Sequence, residues 1–316
     1  MTSGVDEHAK VWVLDEAAVE SEVSTNAESV VACHPSENLV AVATPNGFDV
    51  WNSKSSQTSK EPLASIRDLT EVRALAFQPT SRQCAVQLAT GEVALFDIND
   101  PQQERFLVTK EQAKPIDNFG GINMLSWDRD GGELACFNGT QQICIVDVHT
   151  GDHSMSPTFG GQLLTCDLSP DGSQVLVGTT LGIFLWRRSN DQVVEVDKNQ
   201  TYAFAVAWNA RGTQFAARTF SDSARIYDAE TLEVVRGLRG PSNTIMSLGW
   251  SPDGRRLAGG SESGEVHIWD TKTGRSVAQF EQLEGYCFGV YWSADNRRLH
   301  TTSSAVVRTR NAPAVD

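Results

Sequence analysis

The sequence predicts an all-β protein in which seven four-stranded antiparallel sheets form the blades of a propeller. Three observations predict this fold. A short segment with an apolar run, a bulky residue and a tight turn recurs seven times in 316 residues. A second apolar segment follows six of these turns at an almost constant distance. The runs are short, rich in β-branched and aromatic residues, and separated by Gly, Asp, Ser and Asn, which is typical of strands.

The first repeated segment predicts the first strand of each unit. It reads LGWSPDG around Trp250, VAWNARG around Trp208 and LSWDRDG around Trp127, and its other copies are CDLSPDG, VYWSADN, LAFQPTS and VACHPSE. The position two residues after the bulky residue falls at 35, 79, 129, 170, 210, 252 and 294. A four-stranded unit of ~42 residues matches one propeller blade.

The second repeated segment predicts the third strand of each unit. It reads FDVWN, VALFD, ICIVD, IFLWR, ARIYD and VHIWD, and it ends 17 or 18 residues after the turn position. Another apolar stretch lies between the two segments, as in LVAVAT, and a fourth follows, as in SVAQF at 276–280. Because each blade buries its faces against its neighbours, we expect residues 1–316 to form a single domain.

At these residues the sequence resembles the WD-repeat family, and the resemblance covers nearly the whole chain. The family's polar signature is eroded. The Gly-His pair usually found before the first strand is absent, and Gly240-Pro241 occupies its place in the sixth unit. The usual turn aspartate is visible as Asp222 and Asp6. We therefore expect incomplete polar networks within the blades, and some irregular blades.

The two ends of the chain are expected to share the seventh blade and so remove exposed sheet edges. In the favoured division, residues 6–24 supply the third and fourth strands and residues 286–303 supply the first and second. This division predicts that removing the first 15 residues destabilises the ring. In the alternative, AVVRTRN at 305–311 is the third strand and the N-terminus supplies the fourth alone. Residues 304–316 are thus a third strand or a tail.

Composition narrows the class of protein. The formal net charge of −14 disfavours nucleic-acid binding over the surface as a whole, although it allows a local basic patch. No apolar run reaches the length of a membrane span, and no signal segment begins the chain. The six cysteines form no CxxC pair, so they are expected to be reduced thiols. These features predict a soluble intracellular protein of the cytoplasm or nucleus.

The motifs of catalysis and metal binding are missing from the sequence. It contains no GxxxxGK[ST], HExxH, GxSxG or EF-hand pattern. His149 and His153 are four residues apart, but the TGD between them predicts a turn rather than a metal-binding helix. We therefore predict no catalytic residue, no metal and no cofactor, and a protein that is not an enzyme.

The resemblance implies that residues four positions before the bulky residue line the top mouth of the channel, where family members contact peptides. This column contains Ser29, Arg73, Asn123, Leu164, Phe204, Met246 and Phe288. Two positions earlier, Tyr202 and Tyr286 complete two Tyr-x-Phe motifs, and Phe220 belongs to a neighbouring top turn. Exposed aromatic clusters commonly mark interaction sites. Asp222 and Glu262 nearby would favour a basic ligand. The alternative interpretation is that these side chains pack between blades.

A second candidate surface consists of cations in the turns at the bottom of the later blades. They are Arg211, Arg255, Arg256, Lys272, Arg275, Arg297 and Arg298. Such an arc could meet phosphate or an acidic partner, although an ordinary solvated surface is the favoured interpretation because Asp228, Glu230 and Glu233 lie among the cations.

These patterns together predict a non-enzymatic scaffold that binds a peptide or partner domain on its top face within a multiprotein complex. Binding of phosphorylated lipid or RNA by the basic arc is the alternative function. The two hypotheses differ in their expected salt dependence, which is steep for the basic arc.

Overall fold

The structure is a computed structural model, and it describes residues 12–14, 19–24, 30–52, 61–69, 71–116, 124–197, 202–218, 224–240, 243–280, 285–303 and 306–313. Its strands form seven sheets with a core of four antiparallel strands each. Within the described residues, the one helical element is a 3₁₀ turn at Arg188–Asn190. The predicted all-β propeller with seven four-stranded blades is therefore confirmed.

The first three blades follow the chain in simple up-and-down order. Blade one contains β3 (Val31–Cys33), β4 (Leu39–Thr44), β5 (Gly47–Asn52) and β6 (Ala64–Arg67). Blade two contains β7 (Val72–Phe77), β8 (Gln83–Leu88), β9 (Val93–Asp97) and β10 (Asp100–Val108). Blade three contains β11 (Leu125–Trp127), β12 (Glu133–Phe137), β13 (Ile143–Asp147) and β14 (His153–Met155).

The next three blades repeat the same order. Blade four contains β15 (Leu163–Leu168), β16 (Gln174–Thr179), β17 (Ile183–Arg187) and β18 (Gln192–Asp197). Blade five contains β19 (Val206–Trp208), β20 (Gln214–Arg218), β21 (Ala224–Asp228) and β22 (Val234–Leu238). Blade six contains β23 (Ile245–Trp250), β24 (Arg256–Ser261), β25 (Val266–Asp270) and β26 (Ser276–Phe280).

Blade seven is shared by the two ends of the chain, as expected, but the favoured division is wrong. Its strands are β27 (Gly289–Trp292), β28 (Arg298–Thr302), β29 (Val306–Asn311) and β2 (Val19–Ser24). The C-terminus thus supplies three strands, and the N-terminus supplies the fourth alone. A hairpin from β28 to β29 closes a short loop, which costs less entropy than inserting a distant N-terminal strand.

Arg310 lies in β29 at the position where FDVWN, IFLWR and VHIWD have Trp, and the structure explains why it is tolerated. Its side chain is buried, and its guanidinium lies 5.2 Å from the centre of the Phe280 ring of blade six. One of its Nη atoms donates a hydrogen bond to Thr301 Oγ1 at 3.1 Å. A cation that stacks on an aromatic ring and is hydrogen-bonded can take the place of the expected Trp.

The segment predicted as the third strand of blade seven lies elsewhere. Strand β1 (Trp12–Leu14) pairs with β26 in parallel, with Trp12 opposite Ala278 and Leu14 opposite Phe280. It therefore adds a fifth strand to the outer edge of blade six. Blade seven is complete without residues 1–15, so the expectation that their removal opens the ring loses its structural basis.

The first strands of the blades surround the central axis. Each contacts the first strand of the next blade, from β3 through β7, β11, β15, β19 and β23 to β27, which contacts β3 again. Clusters of buried apolar side chains fill the spaces between the sheets. The core is therefore a ring of interfaces, which is why one blade cannot be removed from this fold.

Tryptophans at the ends of first strands connect neighbouring blades by hydrogen bonds. Each indole Nε1–H donates to a first-strand carbonyl of the preceding blade. The four pairs are Trp127 to Ala76 (3.1 Å), Trp208 to Asp167 (3.1 Å), Trp250 to Ala207 (3.0 Å) and Trp292 to Gly249 (2.8 Å). The bulky residue of the repeat therefore fills space and also sets the position of each blade relative to the last.

The junction between blades three and four uses a different link, because Leu168 stands where these blades have Trp. Ser126 Oγ donates to Asp167 Oδ1 at 2.7 Å and accepts from the Leu168 N–H at 2.9 Å. Asp167 Oδ2 also accepts the Trp208 N–H at 2.7 Å. One carboxyl group thus joins blades three, four and five, and burial raises its pKa to about 6 despite these hydrogen bonds.

Candidate functional site

The top face is the end of the blades where the chain leads into each first strand and where the second and third strands are joined. The lead-in residues alternate between buried and exposed positions. Ala203 and Cys287, at the centres of the two Tyr-x-Phe motifs, are fully buried. Their N–H groups donate to Thr179 O at 3.0 Å and to Ser261 O at 2.9 Å in the preceding blade. Because neighbouring residues point to opposite sides, the aromatic residues on either side face outwards.

Each Tyr-x-Phe motif forms a ring pair on the top face. The Tyr202 and Phe204 rings stack with centroids 6.1 Å apart, and the Tyr286 and Phe288 rings lie 5.5 Å apart. The tyrosines are 53% and 43% exposed, while both phenylalanines are partly buried. The sequence-predicted aromatic residues therefore form two amphipathic pairs with a half-buried base and an exposed outer ring. Met246 of blade six, also partly buried, lies between the two motifs in blade order.

Tyr202 holds an unusual backbone conformation, with φ at 54°. Bulky residues rarely occupy this left-handed region because of the clash with their own Cβ. Two hydrogen bonds hold the residue there: its N–H donates to Thr180 O at 3.2 Å, and its carbonyl accepts from Arg218 Nη1 at 2.7 Å.

Other members of the predicted column behave differently. Leu164 lies within β15 and its side chain is buried, so its assignment to the contact surface is wrong. Arg73 is exposed and lies 3.8 Å from the carboxylate of Glu71. Phe220 and Asp222, like Ser29 and Asn123, lie outside the described residues.

Arg218 is a member of this site that sequence reasoning missed. It is the last residue of β20, and its guanidinium lies 5.9 Å from the centre of the Phe204 ring. Burial lowers the pKa of Arg218, and the nearby charge of Glu262 opposes that shift. Phe204 and Glu262, which were expected to attract a basic ligand, therefore already face a cation of the chain itself. Its place at the end of a second strand, next to a top turn, was the available signal.

Leu181 is a second missed residue. It lies in the top turn of blade four and is 57% exposed, directly after Thr180, whose carbonyl accepts from the Tyr202 N–H. The apolar surface thus extends from Tyr202 towards blade four. The signal was a leucine in the turn TTLG, where polar residues are usual.

A cleft of about 280 Å³ opens on the top face between blades three and four. Blade three contributes Phe137, Gly139, Thr140 and Gln141 to its lining. The other lining residues are Ile116, Gln162 in the lead-in of blade four, and Leu163 at the start of β15. The Gln162 N–H donates to Thr180 Oγ1 at 3.0 Å, so the cleft adjoins the turn that carries Leu181.

The bottom face carries the predicted basic arc, and three of its turns are tied together. The Asp253 N–H donates to Asn296 Oδ1 at 3.0 Å, which joins the first turns of blades six and seven. The Thr271 N–H donates to Arg255 O at 2.9 Å, which adds the second bottom turn of blade six. Arg255, Lys272, Arg275 and Arg297 are exposed on these turns.

Two predicted members of the arc, Arg256 and Arg298, form contacts between segments of the ring rather than an exposed surface. Arg256 is buried, its guanidinium stacks 4.5 Å from the centre of the Trp292 ring, and it donates to Asn296 O at 2.6 Å and to Pro313 O. Its assignment to an accessible patch is therefore wrong, because the second of two consecutive arginines points into the blade junction. Arg298, at the same position of blade seven, is partly buried and donates to Asn38 Oδ1 of blade one at 3.2 Å. Arg211 is exposed on the bottom turn of blade five.

Comparison with known proteins identifies the family. The family model described as Eukaryotic translation initiation factor eIF2A matches residues 158–315, which is half of the chain. The chain belongs to this eIF2A family. The matched half contains blades four to six and the C-terminal strands of blade seven, and hence both aromatic pairs and the whole basic arc. No curated protein matches the sequence.

A solved structure confirms the fold of the eIF2A-family chain. One chain of the crystal structure of a mitotic checkpoint complex superimposes with a TM-score of 0.75 at 18% sequence identity, covering 99% of this chain and 98% of that one. At this identity the likeness shows the shared propeller fold alone.

The described residues contain no group of three or more His, Cys, Asp or Glu side chains able to hold a metal ion. No helix in the described part of the chain has the length and apolarity needed to cross a bilayer. Burial raises the pKa of the Cys33, Cys84 and Cys166 thiols and raises that of Cys287 to about 12, as expected for thiols that pack as small apolar groups.

Proposed function

We propose that this eIF2A-family chain is a non-enzymatic scaffold that binds a peptide or partner domain on its top face within a multiprotein assembly. The observation that carries the proposal is the pair of exposed tyrosines, each resting on a half-buried phenylalanine. Tyr202 and Tyr286 offer large apolar rings with a polar hydroxyl, and tyrosine is one of the residue types enriched among interface hot spots.

Rigidity supports binding at this surface. The lead-in residues are bonded to the preceding blade at Thr179 and Ser261, and the blades are joined by indole hydrogen bonds. A partner that docks on such a surface orders few side chains, so less conformational entropy opposes binding.

The family name suggests the process. Proteins of this family are named for translation initiation, and we infer that the assembly served by this chain belongs to that process in the cytoplasm, with the nucleus as the alternative compartment. The chain of similar fold comes from a multiprotein complex, which agrees with a scaffold role. The charge of Arg218 over Phe204 now favours a partner with an apolar or acidic contact residue over a basic one.

Quantitative affinity purification tests this proposal. The bait is the whole chain, as wild type, as the double variant Tyr202→Ala/Tyr286→Ala, and as the control Phe106→Ala/Met155→Ala, which removes two exposed apolar side chains from outer strands. Loss of two aromatic anchors should reduce recovery of specific partners at least about tenfold. The control should retain them. Equal recovery by all three baits, with folding unchanged, would exclude the top face.

A further inference from the structure

Five exposed cations lie on or beside the bottom turns of blades six and seven. We name them the basic patch and define it as Arg236, Arg255, Lys272, Arg275 and Arg297. Four members stand on the three turns that Asp253–Asn296 and Thr271–Arg255 hydrogen bonds join. Arg236 comes from β22 of blade five, and its aliphatic stem covers Gly274: a Cβ placed there would lie 2.8 Å from Arg236 Cγ. All five side chains belong to exposed residues.

The carboxylates within these turns are committed to backbone geometry. Asp253 Oδ1 accepts from Ser251 Oγ at 2.6 Å and from the Arg255 N–H at 3.0 Å. Asp295 Oδ1 accepts from Ser293 Oγ at 2.5 Å and from the Arg297 N–H at 3.0 Å. Asp270 Oδ1 accepts from the N–H and the hydroxyl of Thr273 at 2.7 and 2.6 Å. Each carboxylate therefore shapes its own turn.

Cations exceed carboxylates on this surface. The three turns with Arg236 carry five exposed Arg or Lys residues and three Asp residues. Among the described residues, no salt bridge joins a member of the basic patch to a carboxylate. Glu230 and Glu233, in the bottom turn of blade five, are exposed and bound the patch on that side. A local positive field therefore persists on a chain whose formal net charge is −14.

We propose that the basic patch is a second interaction surface, distinct from the top face, that binds an acidic peptide segment of a partner protein. Four of its five cations are arginines, whose planar guanidinium groups match carboxylates with two parallel hydrogen bonds. The turns that carry Arg255 and Arg297 are joined directly, so one short extended segment can reach both.

An acidic peptide fits the patch better than RNA does. The large exposed apolar side chains of the described residues include no aromatic ring on these turns, so a stacking platform for bases is missing there. RNA would also carry its charge beyond the patch into the field of an acidic protein, whereas a short peptide ends where the cations end.

Fluorescence anisotropy with a fluorescein-labelled decaglutamate peptide tests the proposal on the whole chain. The wild type should bind saturably, and binding should weaken steeply as salt is raised. The variant Arg255→Glu/Arg297→Glu should bind at least about tenfold more weakly. The matched control is Arg211→Glu, an exposed bottom-face arginine of blade five, which should change the affinity less than about twofold.

Three further arms make the result decisive. A decauridylate of similar charge should bind more weakly than the peptide, and tighter binding by the oligonucleotide would overturn the proposal in favour of RNA. Tighter binding to vesicles containing a phosphoinositide would favour lipid instead. Tyr202→Ala/Tyr286→Ala should leave peptide affinity unchanged, so failure of the top-face proposal stays distinguishable. The proposal would be refuted if the wild type showed no saturable binding of the peptide. It would also be refuted if Arg255→Glu/Arg297→Glu bound the peptide with the affinity of the wild type and unfolded at the same temperature.

Discussion

Blades one to three and blades four to seven share one backbone plan but present different surfaces. In the first region exposed arginines pair with carboxylates, as in Arg82–Glu37 at 2.7 Å between blades two and one and Arg67–Asp49 at 2.6 Å within blade one. In the second region Arg225–Asp197, at 3.2 Å, joins blades five and four through two partly buried side chains. Its top face carries the two Tyr–Phe ring pairs, and its bottom face carries the basic patch.

The difference shows that repeated strands supply the ring while the turns supply the chemistry. The family model matches residues 158–315, so the family signal lies in the half of the chain that also holds both candidate surfaces.

Truncation of blade seven, which the two chain ends share and which contacts blade one, should produce the largest effect on stability. Removing residues 1–24 deletes β2, the fourth strand of blade seven, and should lower the free energy of unfolding by at least ~3 kcal/mol through the lost strand pairing with β29. Removing residues 1–15 deletes β1 alone and should cost clearly less. Urea denaturation of both truncations checks this, and equal losses would contradict the observed division of strands.

Two substitutions of Trp292 should separate the contribution of ring packing to stability from that of the indole hydrogen bond. Trp292→Ala removes a buried ring and its bond to Gly249 O, and should cost about 3–5 kcal/mol. Trp292→Phe keeps most of the volume and should cost on the order of 1 kcal/mol. Trp127→Phe, in blade three, should cost a similar amount. If Trp292→Phe lowers stability and Trp127→Phe does not, the indole hydrogen bond contributes to stability in blade seven but not in blade three.

The Asp167 bridge should make stability depend on pH at the border between the two regions. Its pKa is raised to about 6 in the folded chain, above the usual 3.8, so the unfolded state loses its proton first as pH rises. Stability should therefore fall between about pH 4 and pH 6, by on the order of 2 kcal/mol. Asp167→Asn should remove this slope in denaturation curves recorded across that interval. A slope of the same size in the variant would assign it to other groups.

His300 should give a slope of opposite sign in blade seven. Burial lowers the pKa of this imidazole to about 4, so the unfolded chain binds the proton first as pH falls from about 6.5. Stability contributed by neutral His300 is then lost towards pH 4. His300→Gln, which keeps an acceptor for Thr309, should flatten the acid branch of the stability curve. Thermal unfolding between pH 4 and pH 7 measures it, and an unchanged acid branch would contradict the assignment.

The surface pair of the first region should matter least. Arg82 and Glu37 are exposed, and the hydrogen bond from Arg82 lowers the pKa of Glu37. Exposed pairs of this kind contribute little because water already solvates both charges. Arg82→Ala should leave the thermal midpoint within experimental error, and a clear loss would show that the first region also depends on its surface charges.

Local sequence pattern was sufficient for most of the fold. LVAVAT was expected as the strand between the two repeated segments and is β4, and SVAQF was expected as a fourth strand and is β26. Alternating apolar runs between turn residues specify strands through neighbours in the chain, so no distant contact was needed. The N-terminal strands were misassigned because their partners lie far away in the chain: Trp12 pairs with Ala278, and Val19 pairs with Arg310.

The sequence predicted only some of the residues on the two candidate surfaces. Tyr202, Phe204, Tyr286 and Phe288 were expected on the top face and lie there, in pairs that spacing suggested. Leu164 and Arg256 were misplaced, because a repeat column states where a residue sits in its strand but not whether a neighbouring blade covers it. Arg218, Leu181 and Arg236 were missed because they reach these surfaces across a turn or a blade junction.

Amino-acid order thus dictated the repeat, the strands and the number of blades, since these follow from periodicity and turn chemistry within about 42 residues. Closure of the ring, the indole links, and the separation of exposed arginines from buried ones arose when blades met. Those outcomes depend on contacts between distant segments, whose geometry is set by packing around the whole ring.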